Sequence, residues 1–170
     1  MPGPSPVLAD LERKLDSEPS ATRALTAWCG ERGMAGGDAP RITAARQRDR
    51  LPLPPDGRAL LALGPDEAHG FRHVRLACNG IVLSEAYNWY VPARLSEGMK
   101  AELAATGTPF GTVVAPLRFS RTALASARGR GAGCPRGTVL SRRALLRLPD
   151  GRALALLVEC YTAATIARGA

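Results

Sequence analysis

Aromatic side chains are scarce, at 5% of 170 residues, and no compact Lys/Arg stripe with interleaved aromatics occurs. The chain therefore does not read as a nucleic-acid binder, despite a net charge of +8. Its 23 basic residues are scattered and nearly all Arg, and their summed field suits a small anionic substrate. No apolar segment of 18 residues and no signal-peptide core occurs, so no membrane helix is expected and the protein reads as soluble and cytoplasmic. The two histidines, His69 and His73, lie close together, and Cys29, Cys78, Cys134 and Cys160 have no CxxC spacing. That pattern excludes a zinc site and predicts reduced thiols, with Cys160 as inert core. What remains is 45% apolar and 22% charged, an ordinary globular composition rich in Ala, Gly, Pro and Arg. One domain over residues 1–170, acting as a monomer, is expected.

The longest apolar run is Ala153-Leu154-Ala155-Leu156-Leu157-Val158-Glu159-Cys160-Tyr161-Thr162. Asp150-Gly151 before it is the chemistry of a tight hairpin, which predicts a strand buried on both faces rather than a helix. Glu159 is the anomaly in that run. A buried carboxylate must be protonated, paired with a cation or placed at a cavity wall.

Residues 1–6 are Pro-rich and predicted to be loose, with Ser5-Pro6 serving as cap and first residue of a helix carrying Leu8, Leu11 and Leu15. Ser20 caps a second helix whose Ala24, Leu25, Trp28 and Cys29 share a face. This helical hairpin can simply cover a sheet or can act as a flap over a pocket. A brief strand is expected around Ile42 and a short one at 58–63. Two longer strands, 71–77 and 81–91, flank Cys78-Asn79-Gly80, and Asn-Gly is a strong hairpin signal. Ser96 caps a helix with Met99 and Leu103. Another strand is predicted over 111–119, a flexible Gly-rich loop over 126–137, and a last hairpin from 138–148 and 152–162. The fold class is α+β with an antiparallel sheet.

In the strand from Phe71, Arg72 shares the more apolar face with Val74 and Leu76. Arg72 and Glu159 could form one structural ion pair. Alternatively they line one cavity, where the guanidinium offers a fork to a ligand carboxylate and the carboxyl handles a proton. Glu85 falls in phase with Ile81, Leu83, Tyr87 and Trp89 and points inward unless a bulge turns it out, while Asn88 lies on the other face. The Tyr87, Trp89 and Tyr90 cluster reads as packing. The turn Thr108-Pro109-Phe110-Gly111 can present backbone N–H groups to an anion.

Taken in order, Ser20-Ala21-Thr22-Arg23, Arg72 ahead of Asn79-Gly80, Val91-Pro92, Thr108-Pro109-Phe110-Gly111 and Val158-Glu159 resemble the chorismate pyruvate-lyase family. The segment Asn88-Trp89-Tyr90-Val91-Pro92 looks like a bacterial subgroup of it. The resemblance implies a six-stranded antiparallel sheet with helical flaps over an internal aromatic-acid site, and no metal or organic cofactor. It also implies conversion of chorismate, or a related enolpyruvyl ring acid, to 4-hydroxybenzoate and pyruvate. By motif, Arg72 grips the ring carboxylate, and Glu159 sits near the leaving ether oxygen as general acid, its pKa raised by apolar neighbours. Ala21, Thr22, Phe110 and Gly111 close around the ring. The expected partner is a small aromatic or enolpyruvyl acid, with no nucleic acid or membrane. The same fold serves as the effector-binding domain of GntR-type regulators, and residues 64–92 would pass for part of one. A non-catalytic, small-carboxylate-binding domain is therefore the alternative.

Overall fold

Ser5 caps the first helix and Pro6 opens it, in a computed structural model that describes residues 5–131 and 133–167. Residues 1–4 of the loose segment expected at 1–6 lie outside the described residues. The Ser5 hydroxyl accepts the Leu8 N–H, and α1 (Pro6–Asp16) buries Leu8, Leu11 and Leu15 as their spacing requires. The Ser20 hydroxyl accepts the Arg23 N–H at the start of α2 (Ala21–Glu31), which buries Ala24, Leu25, Trp28 and Cys29. There follow β1 (Ile42–Arg46), α3 (Gly57–Leu60), β2 (Gly70–Cys78), β3 (Ile81–Tyr90), α4 (Glu97–Ala105) and α5 (Phe110–Val114). The chain ends in β4 (Ser120–Arg128), β5 (Leu140–Arg147) and β6 (Ala153–Tyr161).

The six strands form one antiparallel sheet in the order β1-β2-β3-β6-β5-β4. The apolar run is β6, an interior strand buried on both faces. Asn79 and Gly80 join β2 to β3 with φ of 48° and 78°, the left-handed pair a two-residue hairpin needs. In β3 the register skips Leu83, which is left unpaired as a bulge. That one extra residue resets the alternation. Leu83 packs with Val74 and Leu76 beside α1 and α2. Tyr87 and Trp89 instead join Leu61, Cys134, Leu156 and Val158 on the opposite face.

Two segments differ from their sequence expectation. Residues 58–63 fall at α3 rather than forming a strand; Leu61 is fully buried, and a Cβ on Gly57 would meet Leu53 Cγ at 2.6 Å. The predicted strand at 111–119 is instead α5 and a 3-10 turn, Ala115–Leu117, ended by Arg118 in the left-handed region. Pro109 precedes the helix and Pro116 has no N–H for a ladder, so the β-branched Thr-Val-Val run is overruled. The strand begins nine residues later than expected and takes in residues 126–128 of the expected loop.

The cysteines are also corrected: Cys29 pairs with Cys78 and Cys134 with Cys160 as disulfides, so Cys160 is not a free core thiol. Short spacing rules address metal sites and are blind to partners 49 and 26 residues apart, whose Cα atoms the fold brings to 6.3 and 5.6 Å. The first bridge ties α2 to β2, and the second ties the segment before β5 to β6. Denatured, non-reduced protein should therefore yield no titratable thiol, and four after reduction. Replacing either pair with Ala should cost about 2–4 kcal/mol of stability. Four thiols without reductant would refute the pairing. Among the described residues no helix is long and apolar enough to cross a membrane.

Candidate functional site

Between the sheet and the starts of α2 and α5 lies a cavity in which the centre of a water molecule can move through about 50 Å³. Its walls are Val74 and Leu76 of β2, Ala86 of β3, Leu146 of β5 and Leu157 of β6, with Phe110 and Phe119 beside them. All six residues singled out from the sequence line it: Arg72, Glu159, Ala21, Thr22, Phe110 and Gly111. Gly111 is there for a steric reason, because a Cβ would stand 2.9 Å from Ser20 Oγ, where α5 meets the cap of α2. The Phe110 ring packs 5.5 Å from that of Tyr90.

Arg72 is 3% exposed. Its Nη2 donates to the Thr106 carbonyl at 3.1 Å, just past the last turn of α4, while Nε and Nη1 are buried without any partner. Nearby Arg46 donates to the Ala104 carbonyl at 2.8 Å. Two guanidiniums thus hold the carbonyl end of one helix, where cations are favoured. Burial pushes the Arg72 pKa down to about 10, the Arg46 charge adds to that, and Tyr90 opposes it. At neutral pH Arg72 remains a buried cation with two unused donors.

Asn88 stands directly across from Arg72 in the β2–β3 ladder, and both its amide nitrogen and its oxygen are buried without partners. The bulge at Leu83 sets this arrangement: Asn88 and Ala86 line the cavity, whereas Glu85 faces away and accepts from His73 Nε2 at 2.9 Å. Tyr87 stacks on that same His73 and Trp89 packs on Phe71, so the aromatic cluster is packing, as expected. Glu85 is not part of the site.

Glu159 is also 3% exposed, but it does not pair with Arg72. Arg121, reaching in from β4, grips both its oxygens, with Nη1 donating to Oε2 at 3.1 Å and Nη2 donating to Oε1. Burial acts against the Arg121 charge, but the Glu159 carboxylate outweighs it and the Arg121 pKa is raised. The purely apolar setting expected around Glu159 is therefore interrupted by a guanidinium fork. In the same strand the hydroxyl of Tyr161 is fully buried without a partner. Burial first, and then the Glu159 charge, drive its pKa well above the ordinary phenol value. Arg121 was missed because the sequence reading placed no strand at 120–125, so its inward phase was invisible.

The ionic balance follows. Arg121 and Glu159 neutralise each other, and Arg72 has no counter-charge among the residues lining the cavity. The site presents one buried positive pole, a neutral amide beside it and an apolar chamber. Two strand spacings away, about 10 Å along the sheet, sits a carboxylate locked to an arginine.

This fold, a single six-stranded antiparallel sheet with helices closing over a cavity on one face, is shared with ligand-binding domains of transcriptional regulators. It is similar to PhnF from Mycobacterium smegmatis (12% identity, TM-score 0.59, 88% of this chain and 66% of that one). It is also similar to the ligand-binding domain of a putative GntR-family transcriptional regulator from Bordetella bronchiseptica (14% identity, TM-score 0.54, 75% and 86% of the two chains). The possible transcriptional regulator YydK from Bacillus subtilis is similar too (14% identity, TM-score 0.51, 76% of this chain), and the chain spans 62% of its length. These likenesses fit the chorismate lyase-like fold expected from the sequence. No family model matches the chain. In sequence it is 36% identical to the uncharacterized protein y4mC of Sinorhizobium fredii over 92% of this chain and 73% of that one, and it belongs to the same family as y4mC.

Proposed function

We propose that the chain is a binding domain for a small organic anion, with a carboxylate seated on Arg72 and Asn88 and a flat apolar body in the chamber beyond. The observation that carries this reading is the pair of buried, partnerless nitrogens, Nε and Nη1, on Arg72 in the wall of a largely apolar cavity whose one carboxylate, Glu159, is already paired with Arg121. An unpaired buried donor on a charged group is costly. A carboxylate would satisfy one of these donors and, with the second N–H of Nη2, complete the bidentate fork a guanidinium favours. The Asn88 amide offers both a donor and an acceptor for a second oxygen. Glu159, gripped by Arg121 in the same wall, is placed to accept a hydrogen bond from a hydroxyl at the far end of the ligand.

A second reading, a lyase releasing pyruvate from chorismate or a related enolpyruvyl acid, is favoured by the presence of Glu159 in the wall of the cavity that holds Arg72. A simple binder of an acid does not require a second acid there. Against it stands the Arg121 clamp, which already occupies both oxygens of Glu159. One experiment separates the two. Purified protein is incubated with chorismate while pyruvate is followed, and its melting temperature is measured with and without 4-hydroxybenzoate. The binding reading predicts a raised melting temperature and no pyruvate. Pyruvate release that is lost in Glu159→Gln would establish the lyase instead, and neither effect would remove both.

A further inference from the structure

Arg72 and Asn88 together carry four buried polar atoms without a partner among the described residues. They are Nε and Nη1 of the guanidinium, and the nitrogen and the oxygen of the amide. Both residues line the cavity, and they are 3% and 4% exposed. They stand directly opposite each other in the β2–β3 ladder, where Cβ atoms are about 4.5–5.5 Å apart. One end of a ligand therefore meets both head groups. On its other side Asn88 faces Leu157 of β6, and Ala86 precedes it on the same face, so neither neighbour offers the amide a side-chain hydrogen bond.

The four atoms do not ask for the same thing. The guanidinium only donates, whereas an amide donates through its nitrogen and accepts through its oxygen. A carboxylate only accepts. Seated on Arg72 it can also take the Asn88 N–H, but it leaves the amide oxygen buried and unsatisfied, which is costly. Turning the amide over changes nothing, because both of its atoms lack partners and the same acceptor still has to be met. Satisfying all of them takes an anion that brings a hydrogen of its own.

We infer that Asn88 is a specificity-determining residue that reads an N–H or O–H donor next to the ligand carboxylate. This rests on the anion-binding reading above and narrows its ligand to ortho-amino or ortho-hydroxy aromatic acids. The donor belongs beside the carboxylate because the two groups that read them are immediate cross-strand neighbours. A hydroxyl at the far end of the ring meets a different acceptor, since Glu159 lies across from Ala86 in the next row of the sheet. Within the class an amino group fits better than a hydroxyl. An ortho hydroxyl gives its single hydrogen to its own carboxylate, while an ortho amino group keeps a second N–H for Asn88.

Titration calorimetry of the full chain at neutral pH with benzoate, 2-methylbenzoate and 2-aminobenzoate tests this. The methyl group matches the amino group in size and brings no donor. The expected result is that 2-aminobenzoate binds about tenfold or more tightly than either of the others. In Asn88→Leu, with an unchanged far-UV circular dichroism spectrum, that preference should vanish while benzoate still binds through Arg72. The comparison of the three acids on the wild-type protein stands without the variant. Binding of 2-methylbenzoate as tight as that of 2-aminobenzoate overturns the inference and leaves the anion-binding reading in place. A preference that persists in Asn88→Leu also overturns it, because another residue then reads the donor. Binding of none of the three removes both.

Discussion

Replacing Arg121 with Met is expected to cost about 3–5 kcal/mol of folding stability. The reason lies in what is left behind. Glu159 sits on an interior strand at 3% exposure, and Arg121 is its only ion-pair partner among the described residues. Without that guanidinium a buried carboxylate keeps its desolvation penalty and loses its compensation. The pair itself, by contrast, need not be strongly net stabilising, because forming it already required dehydrating both ions. Hence the double variant Arg121→Met/Glu159→Leu should regain most of the loss, and urea denaturation of the wild type, both single variants and the double variant measures the coupling. A loss below about 1 kcal/mol in Arg121→Met, the range of an exposed pair, would mean that the clamp is solvent-screened and that Glu159 is free for another role.

Arg72→Leu should behave in the opposite way. Affinity for a carboxylate probe such as 4-hydroxybenzoate should fall by about 2–5 kcal/mol, roughly thirtyfold or more, while the ligand-free protein loses no stability. The variant gives up one hydrogen bond to the Thr106 carbonyl, worth about 1 kcal/mol. In exchange it removes a buried cation with two unsatisfied donors. A residue retained at a cost to the empty fold is a residue kept for a partner. The pH dependence has a definite sign. Burial, with the Arg46 charge second, lowers the Arg72 pKa from 12.5 to about 10, so the folded protein releases this proton before the unfolded chain does. Affinity for the carboxylate should be level through neutral pH and weaken as pH rises through about 10, because the bound anion needs the charged guanidinium. Titration calorimetry at several pH values reads both effects. Equal affinity in Arg72→Leu would place the ligand elsewhere.

Much of this site was legible before the fold was known, and for physical reasons. Ala153–Thr162 is too apolar and too closely bounded by Asp150-Gly151 to be anything but buried, which made Glu159 conspicuous. Arg72 could be assigned inward because strand alternation is rigid over five residues. The Asn79-Gly80 turn fixed which two strands pair. Failures came where local pattern carries no information. Residues 111–119 are apolar and β-branched, and a short apolar run does not distinguish a helix from a strand; prolines at 109 and 116 decided the matter. The cystines depend on distant segments meeting, which no spacing reveals. Asn88 and Glu85 changed places because one bulged residue, Leu83, inverts every side chain that follows it.

The central claim is that Arg72 is the anchor for an anion in the cavity beside it, and a crystal structure of the protein with 4-hydroxybenzoate tests it most directly. The predicted result is a carboxylate within hydrogen-bond distance of Arg72 Nε or Nη1, beside the Asn88 amide, with the ring among Val74, Phe110 and Leu157. A carboxylate bound outside the cavity, or Arg72 still without an anionic partner in the occupied protein, would contradict it.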